Sequence, residues 1–307
     1  IAKHTLGALL STLTLDDIRK RPVRALDLSC GSGSFLIVLY QHLLDWYLER
    51  YTEKSPEKLA KGKEAPLVPV GDGWKLSTAE RKRILLDHIY GVDIDAQAVE
   101  VTKLSLLLKV LEEETSESIS AQLSMFHERA LPDLGNNIKC GNSLVGYDID
   151  VDRNGQRRMF TDEERLAINA FDWEREFPFR FDVIAGNPPY VRQETLGGLK
   201  EYLQEHYDCY HGVADLYVYF IERAIKLLAP GGYFSYIVAN KWMRANYGEP
   251  LRRWLKAKRV EEIIDFGDLR VFRQATTYPC IIRVRNLPMP AATFRAVKMD
   301  SLDFTVL

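Results

Sequence analysis

The apolar run Val23 to Leu28 leads directly into Ser29-Cys30-Gly31-Ser32-Gly33, and Phe35 to Glu49 then carries apolar residues at helical spacing. A buried strand, a glycine turn and a helix in that order make the first βα unit of a parallel sheet. The pattern then repeats. Ile89 to Asp93 reads as a second strand, and Ala96 to Leu111 as a strongly apolar helix with Asp95 as its N-cap. Asn137 to Cys140 is a weak third strand, Phe181 to Ala185 a fourth and Tyr233 to Ala239 a fifth. The helix Ala214 to Leu228, closed by Pro230-Gly231-Gly232, precedes the fifth strand. A helix with a basic side over Tyr247 to Ala257 follows it, then two final strands, Val260 to Phe266 and Pro279 to Val284. Strands alternating with helices predict an α/β domain with a mostly parallel sheet, whose ligands bind at the carboxyl ends of the strands.

Between these elements, Thr52 to Lys75 is rich in Lys, Glu, Pro and Gly and reads as a solvated surface insertion. Asp148 to Gly155 reads as an exposed hairpin or loop, and Thr161 to Glu176 as one helix. The 307 residues carry a formal net charge of -2, which argues against wholesale coating of nucleic acid but leaves room for a local basic cleft. Cys30, Cys140, Cys209 and Cys280 are too scattered for a zinc or redox motif and read as buried, reduced thiols. Cys209 and His211 lack a second Cys/His pair, so no metal is expected. No apolar run approaches a membrane span and no signal peptide is visible. The chain opens at Ile1 in a helix-like stretch rather than at a methionine, and reads as a fragment of a longer polypeptide.

Four constellations carry chemistry. In Asp27-Leu28-Ser29-Cys30-Gly31-Ser32-Gly33-Ser34-Phe35, two glycines let the backbone pass close to a ligand. A dinucleotide site would want a third glycine where Leu36 stands, and an acid about 20 residues on. Asp93 comes much later, so a nicotinamide cofactor is disfavoured. At the tip of the second strand, Asp93 is suited to accept both hydrogen bonds of a ribose diol, while Asp95 caps the next helix. Gly141-Asn142-Ser143-Leu144 is a turn after the third strand, where a side-chain amide can meet a purine edge.

The fourth constellation is Asn187-Pro188-Pro189-Tyr190, directly after the Phe181 strand. Two prolines stiffen the turn and remove donors, leaving carbonyl oxygens without partners of their own. With the Asn187 amide oxygen they make an acceptor pair for an amino group. Accepting both N–H hydrogens localises the nitrogen lone pair for attack on a methyl sulfonium. Tyr190 offers a flat face for stacking an extruded base.

At these residues the chain resembles the gamma-class N6-adenine DNA methyltransferases, and more narrowly the methyltransferase domain of type IIG restriction–modification enzymes. The likeness runs from Asn187 to Glu194, through Ala214-Asp215-Leu216-Tyr217, Asn240-Lys241-Trp242, Tyr247-Gly248 and Asp265-Phe266-Gly267, to Val271-Phe272. It implies a Rossmann-like class I fold dependent on S-adenosylmethionine, with a mostly parallel seven-stranded sheet, an antiparallel edge strand, and one catalytic domain over residues 1–307. It also implies that Asp27, Cys30, Gly31, Gly33, Phe35, Asp93, Ile94, Asn142 and Ser143 hold S-adenosylmethionine. Asn187, Pro188, Pro189 and Tyr190 would hold the target base, with Phe272 on its other face. Leu28-Ser29 stands where the family usually has Pro-Ala. The family's upstream Tyr-Thr-Pro motif and its downstream target-recognition domain are not in this sequence.

The implied reaction is direct methyl transfer to adenine N6 in double-stranded DNA, with no metal, in a bacterial or archaeal cytoplasm. Fused or associated nuclease and target-recognition domains are the expected partners. Arg192 and Lys241 are the expected phosphate contacts; Lys200, Arg244, Arg252 and Arg253 are weaker candidates, since charged helix faces are usually just solvated. Two rivals stand beside this reading. Asn-Pro-Pro-Tyr also serves enzymes that methylate a protein glutamine amide, and a non-catalytic DNA-binding subunit could keep the same fold.

Overall fold

Residues Ala25, Leu26 and Asp27 are all buried and form β1 (Ala25–Asp27), the strand from which the first half of the chain is organised. The computed structural model describes residues 1–53, 55–62, 65–112, 132–152, 154–191, 199–272, 278–289 and 292–302. These divide into two compact units, Ala2–Cys140 and Gly141–Leu307, with Ile1 belonging to the second.

In the Ala2–Cys140 unit, an antiparallel hairpin of β2 (Leu67–Val70) and β3 (Gly73–Leu76) precedes β4 (Ile89–Asp93) and β5 (Ile138–Cys140). β1 pairs in parallel with β4, Asp27 opposite Gly91, and β4 with β5, Asp93 opposite Cys140. The helix Ser34–Thr52 buries Leu36, Leu39, Tyr40, Leu43, Tyr47 and Tyr51, the i, i+3, i+4 spacing of one face. Each fully buried side chain of this size contributes roughly 1.5–3 kcal/mol. Several polar groups inside this layer are paired. His88 Nδ1 donates to the Val23 carbonyl over 2.7 Å, and its Nε2 accepts from the Tyr47 hydroxyl over 2.9 Å. Arg81 donates to the carbonyls of Lys109 and Glu112, satisfying the C-terminus of the helix Ala96–Leu111.

In the second unit, β6 (Phe181–Gly186) is buried along its whole length and pairs in parallel with β7 (Leu228–Ala239). β8 (Arg259–Asp265) and β7 both pair antiparallel with β9 (Pro279–Arg285), and β10 (Arg295–Lys298) runs parallel to β8. Phe171, Trp173, Phe177 and Phe179 pack ring against ring on the approach to Phe181, which anchors the start of β6.

The mixed α/β class and the mostly parallel strands are as the sequence predicts, and the helix Ala96–Leu111 and β4 match residue for residue. Several details differ. Apart from the β2–β3 hairpin, three parallel strands in one unit and five strands in the other make eight among the described residues, where seven were expected. The antiparallel strand β9 is not at an edge, because β8 and then β10 lie outside it. Thr52 to Lys75 is more than a solvated insertion: it holds the helix Pro56–Leu59, and the β2–β3 hairpin is held down by buried Leu67 and Leu76. Thr161 to Glu176 is two short helices, Asp162–Ile168 and Trp173–Glu176, separated where Asn169 turns left-handed at φ 48°. Cys140 is exposed, since it ends a strand at the surface; the other three cysteines are buried, and none of the four is in a disulfide.

Candidate active site

In the first unit the chain leaves β1 through a turn fixed from three sides. The Cys30 N–H donates to the Val92 carbonyl over 3.0 Å and the Gly33 N–H to the Cys30 carbonyl over 2.8 Å. Thr102, on the helix Ala96–Leu111, donates its hydroxyl to the Gly31 carbonyl over 2.6 Å. Gly33 has φ 83°, and a Cβ there would lie 3.0 Å from Thr102 Cγ2, so a side chain is excluded both by backbone and by space. Gly31, at φ 53°, is the opposite case. Nothing lies within 4 Å of where its Cβ would be, so the backbone there faces open space.

The acid at the end of β4 closes this turn. Asp93 accepts from the Gly31 N–H over 2.8 Å with one oxygen and from the Asp95 N–H over 3.0 Å with the other. Asp95 caps the helix as expected, accepting from the Gln97 N–H over 2.8 Å. Ile94 is 51% exposed beside Asp93, an apolar face left in water. Asp27 is buried beneath the turn, and burial pushes its carboxyl up to about 7, against the Ser29 N–H bond and with the help of the Asp93 charge. Burial also raises the Cys30 thiol, which is therefore no nucleophile. Phe35 is half-buried at the start of the helix Ser34–Thr52.

In the second unit, β6 delivers Asn187-Pro188-Pro189-Tyr190 from its carboxyl end. Asn187 Oδ1 is buried and has no hydrogen-bond partner among the described residues. A buried acceptor left empty costs about 1–3 kcal/mol, so its retention calls for a reason. Tyr190 is fixed in place: its hydroxyl donates to the Ile237 carbonyl of β7 over 3.3 Å, and its ring sits 6.2 Å from that of Tyr217. Burial raises the Tyr190 hydroxyl above its ordinary range, so it stays protonated.

Asn142 and Ser143 also belong to this unit, and their turn is held from within. Asn142 Nδ2 donates to the Ile168 carbonyl over 3.0 Å and its Oδ1 accepts from the Leu144 N–H over 3.1 Å. The Asn142 amide is thus oriented by its own backbone, with one N–H still unassigned. Ser143 is buried, its carbonyl accepting from Trp173 Nε1 over 3.0 Å. Phe272 is half-buried after Val271, which packs against Ile264, Phe266 and Met299. Lys241 is exposed in the turn after β7. Arg192 lies outside the described residues. Arg252 is not a solvated cation: it donates to the carbonyls of Trp242 and Ala245 and pins that turn.

The sequence reading gives no role to two supporting groups, although Asp215, Tyr217 and Tyr247 stand in segments that carry the resemblance. Tyr217 and Tyr247 share a hydrogen bond of 2.9 Å and Tyr247 donates to Asp215 over 3.3 Å, behind the ring that Tyr190 leans on. Arg223 and Tyr207 both donate to the Leu144 carbonyl, and Tyr202 accepts from the Gly146 N–H, bracing the turn that carries Asn142. These partners lie 30 to 79 residues apart in sequence, beyond any local motif.

Asn187 to Tyr190, at the end of β6, lie inside the segment that decides the family. Residues 87–272 match the Eco57I restriction-modification methylase family. The chain belongs to that family. A curated Eco57I-family relative, the type II restriction enzyme and methyltransferase RM.Eco57I of Escherichia coli, is 33% identical over 261 residues, covering 83% of this chain and 24% of the relative. The adenine-specific methyltransferase BrxX of Escherichia coli O9:H4 is 22% identical over 310 residues, covering 81% of this chain and 24% of its own length. This chain therefore spans about a quarter of these curated relatives. Among solved structures, the type IIL restriction-modification enzyme MmeI in complex with DNA aligns over 94% of this chain and 34% of its own, with a TM-score of 0.57 at 14% identity. That likeness is one of fold.

Proposed function

We propose that this Eco57I-family chain is the catalytic module of an adenine-specific DNA methyltransferase in a restriction-modification system, with S-adenosylmethionine as methyl donor. The observation that carries this reading is the buried Asn187 Oδ1 at the tip of β6, without a hydrogen-bond partner among the described residues, followed by two prolines and an anchored Tyr190. An amino group is the ligand that such an acceptor lacks.

The residues of the first unit fit the donor. Gly31 leaves room for a ligand against its backbone. Each Asp93 oxygen takes one backbone N–H and keeps a lone pair for a ribose hydroxyl. Exposed Ile94 offers an apolar surface to a purine ring. S-adenosylmethionine supplies an electrophilic methyl group. Asp93 would hold the ribose, and the turn at Gly31 would hold the methionine end.

On the target side, Asn187 Oδ1 and the Pro188 carbonyl accept the two N6 hydrogens and leave the nitrogen lone pair directed outward. Tyr190 stacks on the extruded adenine, and Phe272 covers its other face. Stacking contributes about 1–3 kcal/mol per base, which offsets part of the cost of extrusion. Positioning and a polarised nucleophile supply the rate enhancement.

The test is direct. The chain is incubated with labelled S-adenosylmethionine and unmodified DNA, with protein offered in parallel, and nucleosides and peptides are then analysed by mass spectrometry. Label in N6-methyladenine supports the proposal. Label in protein glutamine favours the first rival, and a chain that binds no S-adenosylmethionine favours a non-catalytic subunit.

A further inference from the structure

Beyond the carboxyl end of β7, the second unit carries an open groove of about 570 Å³ lined by Asn240, Lys241, Arg244, Asp265, Tyr278 and Lys298, among others. Resting on the DNA reading above, we propose that this groove takes the sugar–phosphate backbone beside the extruded adenine. β7 is the parallel neighbour of β6, with Gly186 opposite Tyr236, so the groove opens on the strand next to the one that ends in Asn187.

Charge singles the groove out. Lys241, Arg244 and Lys298 are exposed and make no ion pair with a described residue. Other cations of the same unit are already used: Arg253 pairs with Glu249, Arg283 with Glu261 and Arg295 with Glu262. Of the two acids that line the groove, Asp265 is hydrogen-bonded, accepting from Asn240 Nδ2 over 2.7 Å and from the Gly267 N–H over 3.0 Å. Both of those donors are neutral, and Asp268 is exposed with no ion pair among the described residues, so three cations face two carboxylates and the groove keeps an excess of positive charge. In a chain of net charge -2 this is a local concentration, not a basic surface.

The frame that presents these cations is fixed. The Asn240 N–H donates to the Tyr278 carbonyl over 2.7 Å, the Ala245 N–H to the Lys241 carbonyl over 2.8 Å, and the Met299 N–H to the Asp265 carbonyl over 2.8 Å. Arg252 ties the same turn from below. A groove that is open among the described residues and carries several dispersed cations suits a polyanion more than a small enclosed ligand. Tyr278, 40% exposed, adds an apolar face for deoxyribose. Contacts of this kind position the strand without reading its sequence.

The experiment uses the full chain and a fluorescent duplex of mixed sequence, with affinity measured by anisotropy across a range of salt. The variant is Lys241→Gln, Arg244→Gln, Lys298→Gln; the control, Lys3→Gln, Lys58→Gln, Lys61→Gln, removes equal charge from the other unit. The groove variant is expected to lose about one unit of the log Kd against log salt slope per cation. Its KM for DNA should rise about tenfold or more, with kcat and S-adenosylmethionine affinity within about twofold of the parent. A slope equal to the parent's, or a loss no larger than the control's, overturns the groove while leaving the methyltransferase reading intact. A parent chain that labels no DNA adenine overturns that reading, and the groove with it.

Discussion

The backbone N–H of Gly31 donates to the Asp93 carboxylate over 2.8 Å, tying the turn after β1 to the tip of β4. The other Asp93 oxygen accepts from the Asp95 N–H, so a single side chain organises both the glycine turn and the start of the helix Ala96–Leu111. The residue proposed to hold the ribose is therefore also structural. Asp93→Asn keeps one carbonyl acceptor and should weaken S-adenosylmethionine binding by about tenfold or more with a modest loss of stability. Asp93→Ala removes the acceptor of one part-buried and one exposed backbone N–H and should cost about 1–2 kcal/mol in addition. Calorimetry and urea unfolding on the two variants separate these effects. Unchanged cofactor affinity in Asp93→Asn would remove Asp93 from the binding site.

Two buried groups of the first unit give opposite pH dependence. Asp27 has its carboxyl raised by burial from 3.8 to about 7, so the fold favours its protonated form and loses that stability as pH rises through this range. Burial lowers His88 from 6.5 to about 4, so the fold favours neutral imidazole and loses stability as pH falls. Between about pH 4 and 6.5 the two trends oppose each other, each on the order of 3 kcal/mol. Relative to the parent, Asp27→Asn should become more stable with rising pH across that window, and His88→Gln less stable. Urea midpoints at several pH values check this, and two variants with the parent's pH profile would contradict it.

Tyr190 is held by its hydroxyl but proposed to act through its ring. Tyr190→Phe keeps the stacking face and loses only the bond to Ile237, so its KM for DNA should stay within about tenfold of the parent. Tyr190→Ala removes stacking worth about 1–3 kcal/mol. Base extrusion, followed by 2-aminopurine fluorescence at the target position, should fall strongly in the Ala variant and little in the Phe variant. Equal extrusion in all three would show that the ring does not stack.

Much of the fold was legible because its elements are marked locally. Ile89 to Val92 is a short run without a charged residue, closed by Asp93, and Ala96 to Leu111 has a capping acid and helical spacing, so both were readable to the residue. β10 was not readable: Arg295–Lys298 is short and largely exposed, stabilised by pairing with β8 rather than by its own pattern. The split of Thr161 to Glu176 was hidden because Asn169 carries no glycine or proline signal, and the helix ends through its left-handed backbone. Asn187 and Tyr190 announce themselves by sequence, whereas the supports behind them do not. Asp215, Tyr217 and Tyr247 meet only after β7 and its flanking helices have packed.

The central claim is that Asn187 Oδ1, buried at the end of β6 and without a partner among the described residues, is kept for the target amino group. Single-turnover methyl transfer by Asn187→Ala, with S-adenosylmethionine affinity measured on the same sample, tests it most directly. The account predicts a rate lower by about 10²–10³-fold, as for other preorganised polar contacts at a reacting centre, with cofactor affinity and folded stability preserved. A variant that methylates DNA at the parent's rate would contradict it.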